Sequence, residues 1–293
     1  MSTARILPLV LALTAPAFAQ EDAKQKHQLR FKFKAGTVTN QVMSQDMTMT
    51  MSMGAQDMVT TMAMNMFQTY TVKSVEGDKA AIEQKITRVK AVMDNPMQQI
   101  DYDSAKDDSD PDMLEGLADL VGQVTTLKLS DRGAVSDVKT PELSSAAAGG
   151  VDVDQMMSQI VTSMPEEPVA IGDTWTVDQK MPLGQMGESD TKVTYKLVSI
   201  DDAVIVLDQK LDLNVDEMEM PGGMTVESAE ATGKITIDRR NGLPKTMSLD
   251  MTMVMDGQMA MEMALKLRMK PAPAAKKAPI TGPKQGDAKE GGK

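Results

Sequence analysis

The 293-residue chain has no cysteine, one histidine (His27), one tryptophan (Trp175), three tyrosines and four phenylalanines. Without cysteine there is no disulfide framework and no thiol catalysis, and one histidine excludes any site built on two imidazole ligands. No apolar run approaches the ~20 residues that a membrane-spanning helix needs. No glycine-rich phosphate loop or Gly-x-Ser-x-Gly elbow is present, and a lone histidine near a terminus reads as solvated. Carboxylates abound, but with 42 acidic residues their pairing says nothing about acid–base work. The sequence therefore points away from an enzyme: no catalytic residue, cofactor or nucleic-acid partner is expected. The net charge of −11 is the wrong sign for binding phosphate backbones.

What the chain has instead is methionine, 29 residues of it. Leu, Ile, Val and Phe together make up only about a fifth of the chain, a level at which a highly charged sequence fails to build a core. Adding the methionines raises the apolar share enough for folding. Methionine is thus expected to carry core duty usually given to β-branched residues.

The two ends differ from the rest. Arg5, the apolar Ile6 to Leu13 and the Ala17-Phe18-Ala19 stretch read as a secretory signal peptide over residues 1–19. The implied localisation is periplasmic or secreted, with a soluble mature chain. Residues 270–293 are rich in Lys, Pro, Ala and Gly and read as a disordered basic tail. Between them, residues 20–269 form the acidic, foldable body.

Period-2 alternation dominates that body. Met43, Met47, Met49, Met51 and Met53 alternate with Ser, Asp and Thr, and beyond Gly54 the even positions Met58, Met62, Met64 and Met66 continue the pattern. A hairpin pairing Met53 with Met58, Met49 with Met62 and Met47 with Met64 puts all nine on one face. Near the C-terminus Met247, Met251, Met253 and Met255 precede Asp256-Gly257, and Met259, Met261, Met263, Leu265 and Leu267 follow. Here an odd, three-residue loop is needed to keep both sets on one face, pairing Met255 with Met259, Met253 with Met261 and Met251 with Met263.

An internal likeness appears at an offset of 125 residues. Thr69-Tyr70-Thr71-Val72 falls on Thr194-Tyr195-Lys196-Leu197, and Glu83-Gln84-Lys85-Ile86 on Asp208-Gln209-Lys210-Leu211. Gly122-Gln-Val-Thr-Thr-Leu likewise resembles Gly233-Lys-Ile-Thr-Ile. Two repeats of one strand–turn–strand plan are expected, near 28–140 and 165–269. Two short helices complete the pattern. One runs from an Asp112–Glu115 cap through Leu114, Leu117, Ala118 and Val121 to Gly122; the other carries Val153, Met156, Met157, Ile160, Val161 and Met164 up to Pro165. The expected fold is mainly β: a large antiparallel curved sheet or open half-barrel of two related halves with two short helices.

Pro168-Val-Ala-Ile-Gly172-Asp173-Thr174-Trp175, with Gly233-Lys-Ile-Thr-Ile-Asp238 and Asn241-Gly242-Leu243-Pro244, resembles an uncharacterised family of exported bacterial β-rich proteins. The resemblance implies a secreted or lipid-anchored protein; this chain departs from it in lacking an anchoring cysteine. The layout is more loosely similar to the half-barrels of Lol-type lipoprotein carriers and related lipid-binding envelope proteins, a likeness of architecture that does not by itself give function.

Methionine is flexible and polarizable and is over-used on adaptable binding surfaces. The Met faces are therefore candidates for binding a hydrophobic or lipidic ligand or a partner's apolar segment. The residues concerned are Met47, Met49, Met51, Met53, Met58, Met62, Met64, Met66, Met251, Met253, Met255, Met259, Met261 and Met263, with Trp175 as a stacking platform. A closed Met-packed core has the same alternation. One alternative is a periplasmic Cu(I) site of soft thioethers on Met49, Met51, Met62 and Met64; another is a purely structural protein whose Met buffer oxidants. The acidic run Asp101, Asp103, Asp107, Asp108, Asp110 and Asp112 has Met113 where a calcium loop needs glycine, and reads as a solvated loop.

Overall fold

The computed structural model describes residues 25–53, 56–107, 111, 114, 116–140, 162–182, 188–215, 224–257 and 260–272. The leader, residues 273–293 of the basic tail and most of the 153–164 segment lie outside the described residues. The alternating sequence forms strands as the pleat demands: one side chain in two points to each face. The strands are β1 (Val38–Met53), β2 (Gln56–Glu76), β3 (Lys79–Asp94), β4 (Gln99–Asp103), β5 (Val124–Ser130), β6 (Val135–Lys139), β7 (Thr174–Pro182), β8 (Glu188–Ile200), β9 (Val204–Leu213), β10 (Thr225–Asp238), β11 (Pro244–Asp256) and β12 (Ala260–Pro271).

All twelve belong to one sheet, and every pairing is antiparallel. The order is β6-β5-β3-β2-β1-β12-β11-β10-β9-β8-β7, with β4 also paired to β3. Strands adjacent in sequence pair with each other except β4 and β5, which both pair with β3, and β6 and β7, which lie at opposite ends; β12 returns to pair with β1. The sheet is open: β6 and β7 are its two ends and do not meet.

The sheet curves tightly at one end. Leu127 and Leu129 of β5 line the same small cavity as Ile235 of β10. Six strand steps separate β5 from β10, about 29 Å in a flat sheet, so the inner face must wrap round to close on itself there. The segment before β1 fills this closed end. Leu29 and Phe31 are buried, with Phe31 N–H donating to Asp131 O and His27 exchanging backbone bonds with Val169. His27, expected to be a solvated terminal residue, is half-buried in this bridge. A Cβ at Gly242 would fall 2.3 Å from Lys32 N, so the strap passes directly over that turn.

Two expectations are corrected. Both hairpins keep the expected facing but are shifted by two positions. In β1–β2, Met47 pairs with Met62, Met43 with Met66 and Met51 with Met58, while Met49 faces Thr60. In β11–β12, Met255 pairs with Met261, Met253 with Met263 and Met251 with Leu265. The turns are displaced relative to the expected loops, which alternation cannot sense because a two-residue slip preserves facing. The expected helix from Asp112 is the second correction. Among the described residues it is reduced to 3-10 conformation at Leu114 and a 3-10 turn at Ala118–Leu120, the latter without a side-chain cap. Leu114 and Leu117 are buried as expected, but Gly116 and Gly122, both at positive φ, turn the chain before a longer helix can propagate.

The 125-residue offset corresponds to matching geometry. Tyr70 faces Gln84 and Val72 faces Ile82; Tyr195 faces Gln209 and Leu197 faces Leu207. Both hairpins then carry an irregularity one residue later, at Lys73 and Val198. The partner strands match differently from the sequence expectation. Thr125, not Gly122, stands opposite Gln84 where Gly233 stands opposite Gln209.

Candidate ligand-binding face

Strand pairing places the methionines in rows across the inner face. One row runs Met93, Met62, Met47, Leu265, Met251, Ala231, Leu211 and Val193, from β3 to β8. Two rows hold four methionines side by side: Met66, Met43, Met269, Met247, and Met58, Met51, Met261, Met255. The opposite face is polar. There Ser44 Oγ donates to Asn65 Oδ1 at 2.7 Å, and Arg268 meets Asp250 at 2.6 Å. The sheet thus separates an apolar inner field from a wet outer one.

Burial across the field is graded. Met251, Met253 and Met255 on β11 are buried, Met253 completely, as is Met269 on β12. Met43, Met47, Met49, Met51, Met58, Met62, Met64, Met66, Met261 and Met263 are half-buried. Among these, Met62, Met64 and Met66 pack against Val89, Ala91, Tyr102, Leu114 and Leu117, and Met263 packs against the core of the second half. Met47, Met49, Met51 and Met58 belong to none of the core clusters of the described residues. The Met53 side chain and all of Met259 lie outside the described residues.

The four residues suggested for Cu(I) are not gathered in one place. Met51 faces Met58, and Met64 faces Gln45. Six strand positions, about 20 Å, therefore separate Met51 from Met64. The register assembles a different group, with Met51 between Met58 and Met261.

Trp175 is committed to the fold. Its ring stacks on Tyr195 with centroids 5.5 Å apart, and Nε1 donates to Ser163 O at 2.8 Å. Burial pushes the Tyr195 hydroxyl up to about 12, opposed by a hydrogen bond from the Ser163 backbone. The pair clamps residues 162–164 against the second half; Thr162 and Met164 are buried there.

The acidic run is also structural where it is described. Asp103, nearly buried, accepts two hydrogen bonds from Arg88, with Lys90 at 3.2 Å. These partners, Arg88 first, hold its carboxyl well below the usual range against the desolvation that opposes them. Arg88 also lies 5.6 Å over the Phe67 ring. Asp108, Asp110 and Asp112 lie outside the described residues.

One group escaped the sequence reading. Gln41, Gln68 and Gln84 are buried amides at the closed end. Gln68 Oε1 accepts from Tyr70 OH at 2.7 Å and from Gln84 Nε2 at 3.0 Å, and Gln41 Nε2 donates to Pro244 O at 2.6 Å. The only sequence trace of this cluster is the recurrence of a Tyr–Gln pair at the 125-residue offset.

The model of a family of unknown function, DUF6263, matches residues 146–244, which include Trp175 and all of strands β7 to β10. No curated protein matches the chain. Among solved structures, one concerned with lipid–protein interactions in lipovitellin is similar at 12% identity and TM-score 0.46, over 84% of this chain and 27% of that one. The translocator domain of autotransporter NalP from Neisseria meningitidis is similar at 6% identity and TM-score 0.32, over 87% and 92% of the two chains. DynF from Micromonospora chersina is similar at 10% identity and TM-score 0.21, over 83% of each. At these TM-scores the likenesses bear on neither function nor strand path.

Proposed function

We propose that this is an exported cell-envelope protein that binds a hydrophobic or lipidic ligand, or the apolar segment of a partner, through its Met-lined inner face. The observation that carries this reading is the half-buried group Met47, Met49, Met51 and Met58, apolar side chains that no core cluster absorbs. Half-exposed thioethers on neighbouring strands make a deformable wall, able to follow an alkyl chain without fixed shape. Native mass spectrometry of protein isolated from its own envelope tests the reading. Co-purifying lipid that is lost in a Met47→Gln/Met49→Gln/Met51→Gln variant supports it; lipid-free protein with no saturable uptake of a lipophilic dye rejects it.

A second reading follows from the register. Met58, Met51 and Met261 stand on three adjacent strands, and three soft thioethers suit Cu(I). Competition against a Cu(I) chelator under reducing conditions tests it. Met51→Leu should weaken binding, and unchanged affinity rejects the reading.

A further inference from the structure

At the closed end the inner face bounds a cavity of about 70 Å³, several times the room one water needs. Ile82 of β3, Leu127 of β5, Ile235 of β10, Met247 of β11 and Met269 of β12 line it. The lining is almost wholly apolar, and no Asp, Glu, Lys, Arg or His contributes to it. Two of its polar residues are committed to protein partners: Gln41 Nε2 donates to Pro244 O, and Tyr70 OH to Gln68 Oε1. A water needs two to four polar partners to be held in place, so walls of this kind favour carbon. The space is about half that of the ~150 Å³ engineered cavity that admits benzene. It suits the slim end of a straight chain and is too small for a ring.

The cavity shares its wall with the methionine field. Met247 and Met269 line it and also stand in the row of Met43 and Met66. Two residues along their strands, on the same face, are Leu249 and Leu267; two further on is Leu265, with Met47 beside it. Met247, Leu249, Leu267, Leu265 and Met47 are all half-buried, so an accessible apolar track leads away from the cavity. From Met269 to Leu265 is about 14 Å along the strand, close to the ~15 Å of hydrocarbon in one bilayer leaflet. A chain of that length with its end in the cavity emerges at Met47.

We propose that the closed-end cavity seats the methyl end of a single unbranched alkyl chain, bound tail first, with the chain lying past Leu249 and Leu267 towards Met47. The site rests on the reading that the inner face accepts apolar ligands, and gives that reading an end point, a direction and a chain shape.

The test uses the full chain labelled at its methionine methyls with ¹³C and titrated with unlabelled 1-decanol. Nuclear Overhauser contacts run from the terminal methyl of 1-decanol to Met247 and Met269, and from its CH₂OH group to neither. 1-Decanol binds about fifteenfold tighter than cyclodecanol, since two chain-end methylenes that the ring cannot insert contribute about fourfold each. Leu127→Phe, which fills the cavity, abolishes that preference; an unchanged preference in the folded variant overturns the proposal. So do CH₂OH contacts at Met247 or Met269, or equal affinities for chain and ring, both read on the wild-type protein. Contacts confined to Met47, Met49, Met51 and Met58 overturn the cavity site and leave the inner-face reading standing. With no contact and no saturable shift at any methyl, both fail. Dioctanoyl phosphatidylglycerol in a parallel titration separates the sources of the chain. Terminal-methyl contacts at Met247 and Met269 from both compounds support the site as one for lipid acyl chains, and from 1-decanol alone as one for free single-chain amphiphiles.

Discussion

The indole N–H of Trp175 donates to the carbonyl of Ser163 across 2.8 Å, tying the chain before β7 to the sheet that follows it. Phenylalanine keeps the stack on Tyr195 but not this bond. Trp175→Phe is expected to cost about 1–2 kcal/mol, read as a lower urea midpoint by circular dichroism, since the only indole fluorophore is gone.

Gly233 is held by space. A Cβ there would lie 2.2 Å from Ser248 O and 2.7 Å from Gln209 Nε2, so a backbone carbonyl on the next strand must move. Gly233→Ala should cost about 2–3 kcal/mol. Gly36→Ala, with nothing within 4 Å and only an unfavourable φ of +79°, should cost about 1 kcal/mol. Chemical denaturation of the two variants decides it: equal losses would mean that crowding at Gly233 is relieved at little cost.

Asp103 sets an acid limb. Its carboxyl is held below the ordinary value, chiefly by the hydrogen bond from Arg88, so the carboxylate form is favoured in the folded chain. The stabilisation is complete above the unfolded carboxyl pKa, about 3.9, and is lost as pH falls through the lower folded value. Asp103→Asn should therefore lower stability at pH 7 and flatten its decline below about pH 4. Parallel pH profiles of the two proteins would show that the pairing contributes nothing.

Buried and half-buried methionines should part company under mutation. Met253→Ala, at a fully buried site, is expected to cost about 2–4 kcal/mol and to leave apolar-ligand uptake nearly unchanged. Met49→Gln, on a half-buried site, should do the reverse. Melting and dye-binding measurements on the two variants test the crossover, and loss of stability in both alike would make the whole face core.

Peroxide should read the same gradient chemically. Oxidation follows access, so among the described methionines Met97, 85% exposed, should form sulfoxide well before the buried Met253 and Met255. Peptide mapping at short times gives the order. Early oxidation of Met253 would place it on an accessible surface.

Alternation made the strand faces legible because it depends only on local parity. Met47 and Met62 share a face in any register that keeps the hairpin parity, and the sequence pattern says so directly. It could not say that they are partners, since pairing depends on where the turn falls. The Leu114–Val121 stretch has helical spacing and buries its leucines, yet Gly116 and Gly122 break it, a competition that spacing does not weigh. Trp175 looked available for a ligand because its partners, Ser163 and Tyr195, are fixed by tertiary packing. Gln84 shares the parity of Ile82 and Ile86, so alternation places it inward, but only pairing shows that it meets Gln68 there.

The position of β12 governs how the sheet can be made. It is the last strand described, yet it sits in the middle of the order, between β1 and β11. β1 therefore keeps an open edge until residues 260–271 have been synthesised, and the longest contacts in the sheet form at the end. Such non-local pairing is slow and exposes strand edges in the meantime. Removing β12 would not trim a border but would cut the protein into two separate sheets, each with a new raw edge along its methionine rows.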